Sequence, residues 1–167
     1  MRYYYYIVAV LVLAVDFITK KIIAAQLDLY EQISVIGNFF LITSQRNKGA
    51  AFSILQEQRI FFLLITVVIA AGLIWYIQSV RKTAKPWLLV GLGLVLGGAI
   101  GNFTDRLRTG EVVDFLQFNF GSYTFPIFNI ADSAICCGVA LILIDALFGA
   151  RNESRQQPKH SEEKELT

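Results

Sequence analysis

Residues 128–150 read FNIADSAICCGVALILIDALFGA, an apolar run long enough to cross a bilayer as a helix, with a carboxylate, Asp132, close to its start. About 20 predominantly apolar residues span a hydrocarbon core, and a charge inside such a span is costly unless it faces protein or a wet cavity. The stretch therefore sets two expectations together: a membrane protein, and a polar site at one end of its helices.

Working outward, three further runs share this character. The expected spans cover residues 3–25, 60–78, 87–105 and 130–149. The second and third, IFFLLITVVIAAGLIWYI and PWLLVGLGLVLGGAIGNF, carry no charge. The first runs from YYYYIVAVLVLAV through Asp16 to about Ala25, too long and too interrupted for a cleaved signal peptide, so it reads as a retained span. A chain of 167 residues that is 55% hydrophobic and 17% charged fits a bilayer better than water. Residues 1–150 thus form one integral membrane domain, and the polar stretch RNESRQQPKHSEEKELT at 151–167 reads as a disordered tail. Gly91, Gly93, Gly97, Gly98 and Gly101 in the third span suit close helix packing in lipid rather than a phosphate loop. Cys136 and Cys137 are read as apolar filler. A formal charge of +2 with scattered basic residues excludes a nucleic-acid partner.

The connections differ. Between spans two and three lies the short basic RKTAK, whereas residues 33–44, ISVIGNFFLITS, and 111–128, EVVDFLQFNFGSYTFPIF, mix β-branched and aromatic residues with glycine turns. These predict a small sheet resting on one membrane face, with Phe39, Phe40, Phe118, Phe120, Tyr123 and Phe125 either at headgroup level or simply packed. Lysine and arginine are nearly balanced across the two faces, and the RKTAK loop tips the orientation towards cytoplasmic termini.

Chain direction then gathers the polar residues. The end of span one, the start of span two, the end of span three and the start of span four share a face, which collects Asp16, Lys20, Asn47, Asn102, Asp105, Arg106, Asp114, Asn129 and Asp132. Asp16 sits roughly 10 to 15 Å inside its span, and Lys20, four residues on, reads as its structural ion-pair partner. Asp145 lies at the opposite end. The only histidine, His160, is in the tail, which removes a Ser-His triad and an HExxH zinc site. Carboxylates remain, and two of them in a partly dry site can share a proton and activate water against an amide. Asp114 and Asp132 are the best pair by position. Spacing alone leaves that reading beside a small proton-coupled carrier, since carriers also gather intramembrane aspartates.

DFITK at 16–20, RNKGAAFS at 46–53, GGAIGNFTDRLRTGEVVDF at 97–115 and FPIFNIADSAI at 125–135 together resemble the lipoprotein signal peptidases, the type II signal peptidases of bacteria. The resemblance covers nearly the whole chain up to the tail. It implies a mainly α, four-transmembrane-helix bundle with a β-sheet cradle formed by the two outer-face loops. It implies an aspartic endopeptidase of the bacterial cytoplasmic membrane, both termini cytoplasmic and the site at the outer leaflet. The implied substrate is a diacylglyceryl-modified prolipoprotein, cut before its lipid-bearing cysteine. The family's catalytic aspartates fall on Asp114 and Asp132, its substrate-contacting residues on Asn47, Asn102, Arg106 and Asn129, and its supporting residues on Asp16, Lys20, Gly49 and Ala50. No metal or cofactor is expected, membrane lipid is the surrounding partner, and the chain is expected to act as a monomer. The rivals are the carrier, with Asp16, Asp114 and Asp132 as relay; a serine-lysine peptidase using Ser44 or Ser53 with Lys20 or Lys48; and a catalytically inert scaffold.

Overall fold

The computed structural model describes residues 3–49 and 58–164, with side chains through Phe148. Ala50 and Ser53, both singled out above, lie outside the described residues. Four helices and one four-stranded sheet follow in the order α1 (Tyr4–Gln26), β1 (Gln32–Ile36), β2 (Phe40–Asn47), α2 (Arg59–Val80), α3 (Pro86–Arg108), β3 (Val112–Phe120), β4 (Tyr123–Thr124) and α4 (Ile130–Lys164). The backbone of α4 runs on through the polar stretch after Ala150 to Lys164; the Glu, Gln, Lys and Arg there are good helix formers.

α3 is the central helix. Of its apolar window 61% is buried, against 6% for α2 and 17% for α4. Pro86 starts it, where a missing N–H costs nothing, and Gly110 at φ 85° ends it, its N–H donating to the Arg106 carbonyl. Its glycines fall on two edges. Gly93, Gly97 and Gly101, one turn apart, face α1, so a Cβ on Gly93 or Gly97 would stand 2.5 Å from the Tyr5 carbonyl oxygen or 2.6 Å from that of Ala9. Gly91 and Gly98 face α4 just as closely, against the carbonyls of Gly138 and Ala131. Helices in lipid lack the hydrophobic drive they would have in water and gain from such close packing. Tyr5, Ala9, Ile77, Leu88, Leu89, Leu92 and Leu96 form the buried cluster below, while Ile60, Leu64, Val68 and Trp75 of α2 point outward.

Helices α2, α3 and the Ile130–Phe148 part of α4 are long and apolar enough to cross a membrane. Helix α1, expected as the first of four spans, fits by length but not by composition, because every 18-residue window in it contains Asp16, Lys20 and Lys21. Two of those three charges are turned inward, Asp16 at 1% exposure and Lys20 at 3%.

The sheet is antiparallel in the order β1-β2-β3-β4, built from the two loops as the sequence predicts. Gly121, at φ 65°, makes the tight turn into β4. A bulge between Ile42 and Gln45 of β2 shifts the register on β3 by one residue, so that Asn47 pairs with Val112 and lies diagonal to Asp114. Phe118 stacks on Phe40 at 4.8 Å and on Phe128 at 6.0 Å, tying the sheet to the start of α4, whereas Phe120, Tyr123 and Phe125 are exposed.

Candidate active site

The site begins with the way α4 starts. Four N–H groups at a helix N-terminus lack intrahelical partners. Asn129 accepts from the Asp132 N–H through Oδ1 (3.0 Å), while Asp132 Oδ2 accepts from the Asn129 N–H (3.2 Å), a reciprocal capping box with aspartate in the acidic position. The Ala131 N–H donates to Asp16 Oδ1 of α1 at 2.9 Å. The carboxylate that opens α4 therefore sits where the helix dipole favours negative charge.

From there the polar groups form one connected set. Lys20 Nζ donates to Asn102 Oδ1 (2.9 Å) and is paired with both Asp16 and Asp105 at 2.8 Å. Asn102 Nδ2 donates to Asp132 Oδ1 at 2.7 Å. Asn129 Nδ2 donates to Asp114 Oδ1 at 2.7 Å, and Asn47 Nδ2 to Asp114 Oδ2 at 2.9 Å. Asn47 Oδ1 accepts from the Gly49 N–H at 2.9 Å, and the Gly49 carbonyl accepts from Arg106 Nη2 at 2.8 Å. The Arg106 guanidinium lies over the Phe62 ring, 4.7 Å from its centre. Every described residue proposed for the aspartate reading thus falls in this one network.

Asp114 and Asp132 line a single cavity of about 480 Å³ with Asn47, Asn102 and Arg106. Its remaining wall is mostly apolar, including Val112, Phe125, Phe128, Ile135 and Cys136. Asp114 is only 3% exposed, and burial first, then the neighbouring Asp132 charge, pushes its carboxyl up to about 7 against the opposing pull of the Asn47 and Asn129 donors. A carboxyl held near neutrality beside a second carboxylate, in an apolar cavity, is the arrangement that acid and base work at one centre requires.

Three participants were not foreseen as site residues. Asp105, gathered with the polar cluster but given no role there, is the second acid on Lys20 at 2.8 Å. Ser133 lines the cavity and donates to the Asn129 carbonyl at 2.9 Å. Phe62 carries the Arg106 stack, and the sequence held no sign of that contact. Ser44, of the serine-lysine alternative, is fully buried and accepts from Arg46 Nη1 at 3.2 Å.

Fold and site together define a mainly helical membrane enzyme with a small antiparallel sheet over an acidic cavity. Two solved structures share this architecture, each described as a "bacterial membrane enzyme structure by the in meso method". The one at 2.3 Å resolution has 42% identity and a TM-score of 0.83 and covers 91% of this chain and 92% of that one. The one at 1.9 Å has 42% identity and a TM-score of 0.78, with 88% and 94% covered. A family model described as signal peptidase (SPase) II matches residues 8–148. The lipoprotein signal peptidase of Bacillus pumilus (strain SAFR-032) is 49% identical over 148 residues, 89% of this chain and 95% of that protein. The chain belongs to the signal peptidase II family and is a lipoprotein-processing peptidase by descent.

Proposed function

We propose that the protein is an aspartic endopeptidase that removes the signal peptide from diacylglyceryl-modified prolipoproteins, cutting before the lipidated cysteine. The observation that carries this reading is that Asp114 and Asp132 line the same apolar cavity, each oxygen already accepting a fixed donor. Protonated Asp114 donates a hydrogen bond to the scissile carbonyl oxygen, and the Asp132 carboxylate takes a proton from the attacking water. The water oxygen bonds to the carbonyl carbon, and the proton then passes to the leaving nitrogen as the C–N bond breaks. Asn47, Asn102, Arg106 and Asn129 hold the dyad and meet peptide groups that lipid would leave unpaired, while Asp16, Lys20 and Gly49 support them.

The apolar wall suits a substrate that enters sideways from the bilayer. We take α1 as a fourth span, its inward Asp16 and Lys20 neutralised by pairing, which puts both termini on one side. That side is cytoplasmic in our reading and the dyad lies at the outer leaflet of a bacterial cytoplasmic membrane, acting as a monomer without metal or cofactor. A proton carrier needs the polar set to continue across the bundle. Instead the apolar cluster from Tyr5 to Leu96 intervenes, and Asp145 beyond it is tied to Trp87 Nε1 at 2.8 Å and Lys85 at 3.5 Å.

The test is cleavage of a diacylglyceryl-modified prolipoprotein peptide in detergent by wild type, Asp114→Asn and Asp132→Asn, with folding of each checked by its melting curve. Both folded variants are expected to be inactive. Wild-type cleavage by either one would overturn the dyad.

A further inference from the structure

A second cavity, about 230 Å³, lies between the last turns of α1, the end of α3 and the sheet. It is separate from the first: along β3, Val112 and Asp114 face the acidic cavity and Val113 between them faces this one, as side-chain alternation on a strand requires. Its charged lining is Lys20, Lys21, Arg46 and Arg108 against Asp105 and Glu111. Lys20 is neutralised by Asp16 and Asp105, both at 2.8 Å, and Arg46 has Glu111 at 3.8 Å. Lys21 and Arg108 remain. They sit over the Phe17 ring, 5.7 and 5.8 Å from its centre, and among the described residues neither has a carboxylate at ion-pair distance.

We propose that this cavity binds the phosphodiester headgroup of an anionic phospholipid. Two cations gathered over one ring repel each other, and an anion between them removes that cost. The depth is right: both lie in the last two turns of helices that end at Gln26 and Arg108, where span ends meet headgroups, and Phe17, one turn deeper and 41% exposed, gives the adjoining acyl chain an apolar wall. A free phosphate has no use for Phe17, Ala24 and Val113, which make up the apolar part of the lining. The inference rests on α1 lying in the bilayer and not on the aspartate dyad.

The full-length protein, stripped of lipid in detergent, is mixed with equimolar phosphatidylglycerol and phosphatidylcholine and examined by native mass spectrometry. Wild type and Lys82→Gln, which removes an exposed cation from the α2–α3 loop, are expected to retain one phosphatidylglycerol in preference to phosphatidylcholine by roughly tenfold. Lys21→Gln/Arg108→Gln is expected to lose that preference while still cleaving peptide, which shows that it folds. Equal retention of the two lipids by wild type, or an unchanged preference in the double variant, overturns the proposal. So does millimolar inorganic phosphate displacing the lipid in full, which would make the cavity a free-anion site. The melting curve of each protein is taken as a second check of folding, so loss of cleavage in all of them would bear on the dyad and leave the lipid result standing.

Discussion

Asp114→Asn is expected to make the protein more stable as the pH rises, relative to wild type, while abolishing its activity. The folded protein holds the Asp114 proton up to about 7, whereas an unfolded aspartate releases it near ~3.9. Between those values the native state binds the extra proton, so wild-type stability is full below pH 4 and falls as pH rises through 7. The interval corresponds to about 4 kcal/mol. Asparagine does not titrate, so the difference between variant and wild type must change by that amount across the window.

A constant offset accompanies the change. Asn47 and Asn129 each point an Nδ2 donor at an Asp114 oxygen, and neither amide can turn around, because Asn47 Oδ1 is held by the Gly49 N–H and Asn129 Oδ1 by the Asp132 N–H. The new amide nitrogen therefore faces one donor, at a cost of about 1–3 kcal/mol. The variant should melt below wild type at pH 4 and overtake it between about pH 5 and 6. Melting curves of both proteins in one detergent, taken from pH 4 to 8.5, should separate by roughly 10 °C over the range. Parallel curves would refute the argument, since they would mean that Asp114 ionises like an exposed carboxyl.

The same ionisation sets an alkaline limb: kcat of peptide cleavage should fall as Asp114 loses its proton above pH 7, approaching tenfold per pH unit, and a flat profile to pH 9 would remove Asp114 as the acid. Lys20→Met leaves Asp16 and Asp105 without their shared cation; it should destabilise by about 3–5 kcal/mol, and Lys20→Met/Asp16→Asn should recover part of the loss in a melting series. Gly97→Ala puts a Cβ 2.6 Å from the Ala9 carbonyl oxygen and should cost about 1–3 kcal/mol, whereas Gly72→Ala in α2 meets nothing within 4 Å and should gain about 0.5–1 kcal/mol.

The helices were legible because membrane spans announce themselves by length and apolarity, and the sheet because its strands keep β-branched and aromatic residues between glycine turns. Chain direction alone brought Asp16, Asn102, Asp114 and Asp132 to one end. What the sequence could not hold was the sharing of donors. Asp16 reads as the partner of Lys20 from their four-residue spacing, and that pair forms at 2.8 Å. Its second task, capping the Ala131 N–H of α4, depends on Gly101, whose missing Cβ would stand 2.6 Å from the Asp16 carboxylate. A contact 115 residues away has no local signature. The β2 bulge that lines Asn47 up with Asp114 was equally invisible, because one extra residue in an irregular loop changes no periodicity.

The three asparagines explain how two carboxylates can share an apolar cavity. An amide offers an acceptor at one end and donors at the other, so fixing one end fixes what the other presents. In each case the acceptor end is taken by a donor that cannot reverse: the Lys20 ammonium for Asn102, the Asp132 N–H for Asn129, the Gly49 N–H for Asn47. Each is left to present N–H to an aspartate. Serine in any of these places could rotate its hydroxyl and accept instead, and glutamine would lengthen the reach. Burial raises the Asp114 carboxyl and the oriented Asn47 and Asn129 donors pull it back, so that it holds its proton up to about 7 beside Asp132. On that argument Asn102→Asp, which puts a third carboxyl on Lys20 and withdraws the donor from Asp132, should cost activity even if the fold survives.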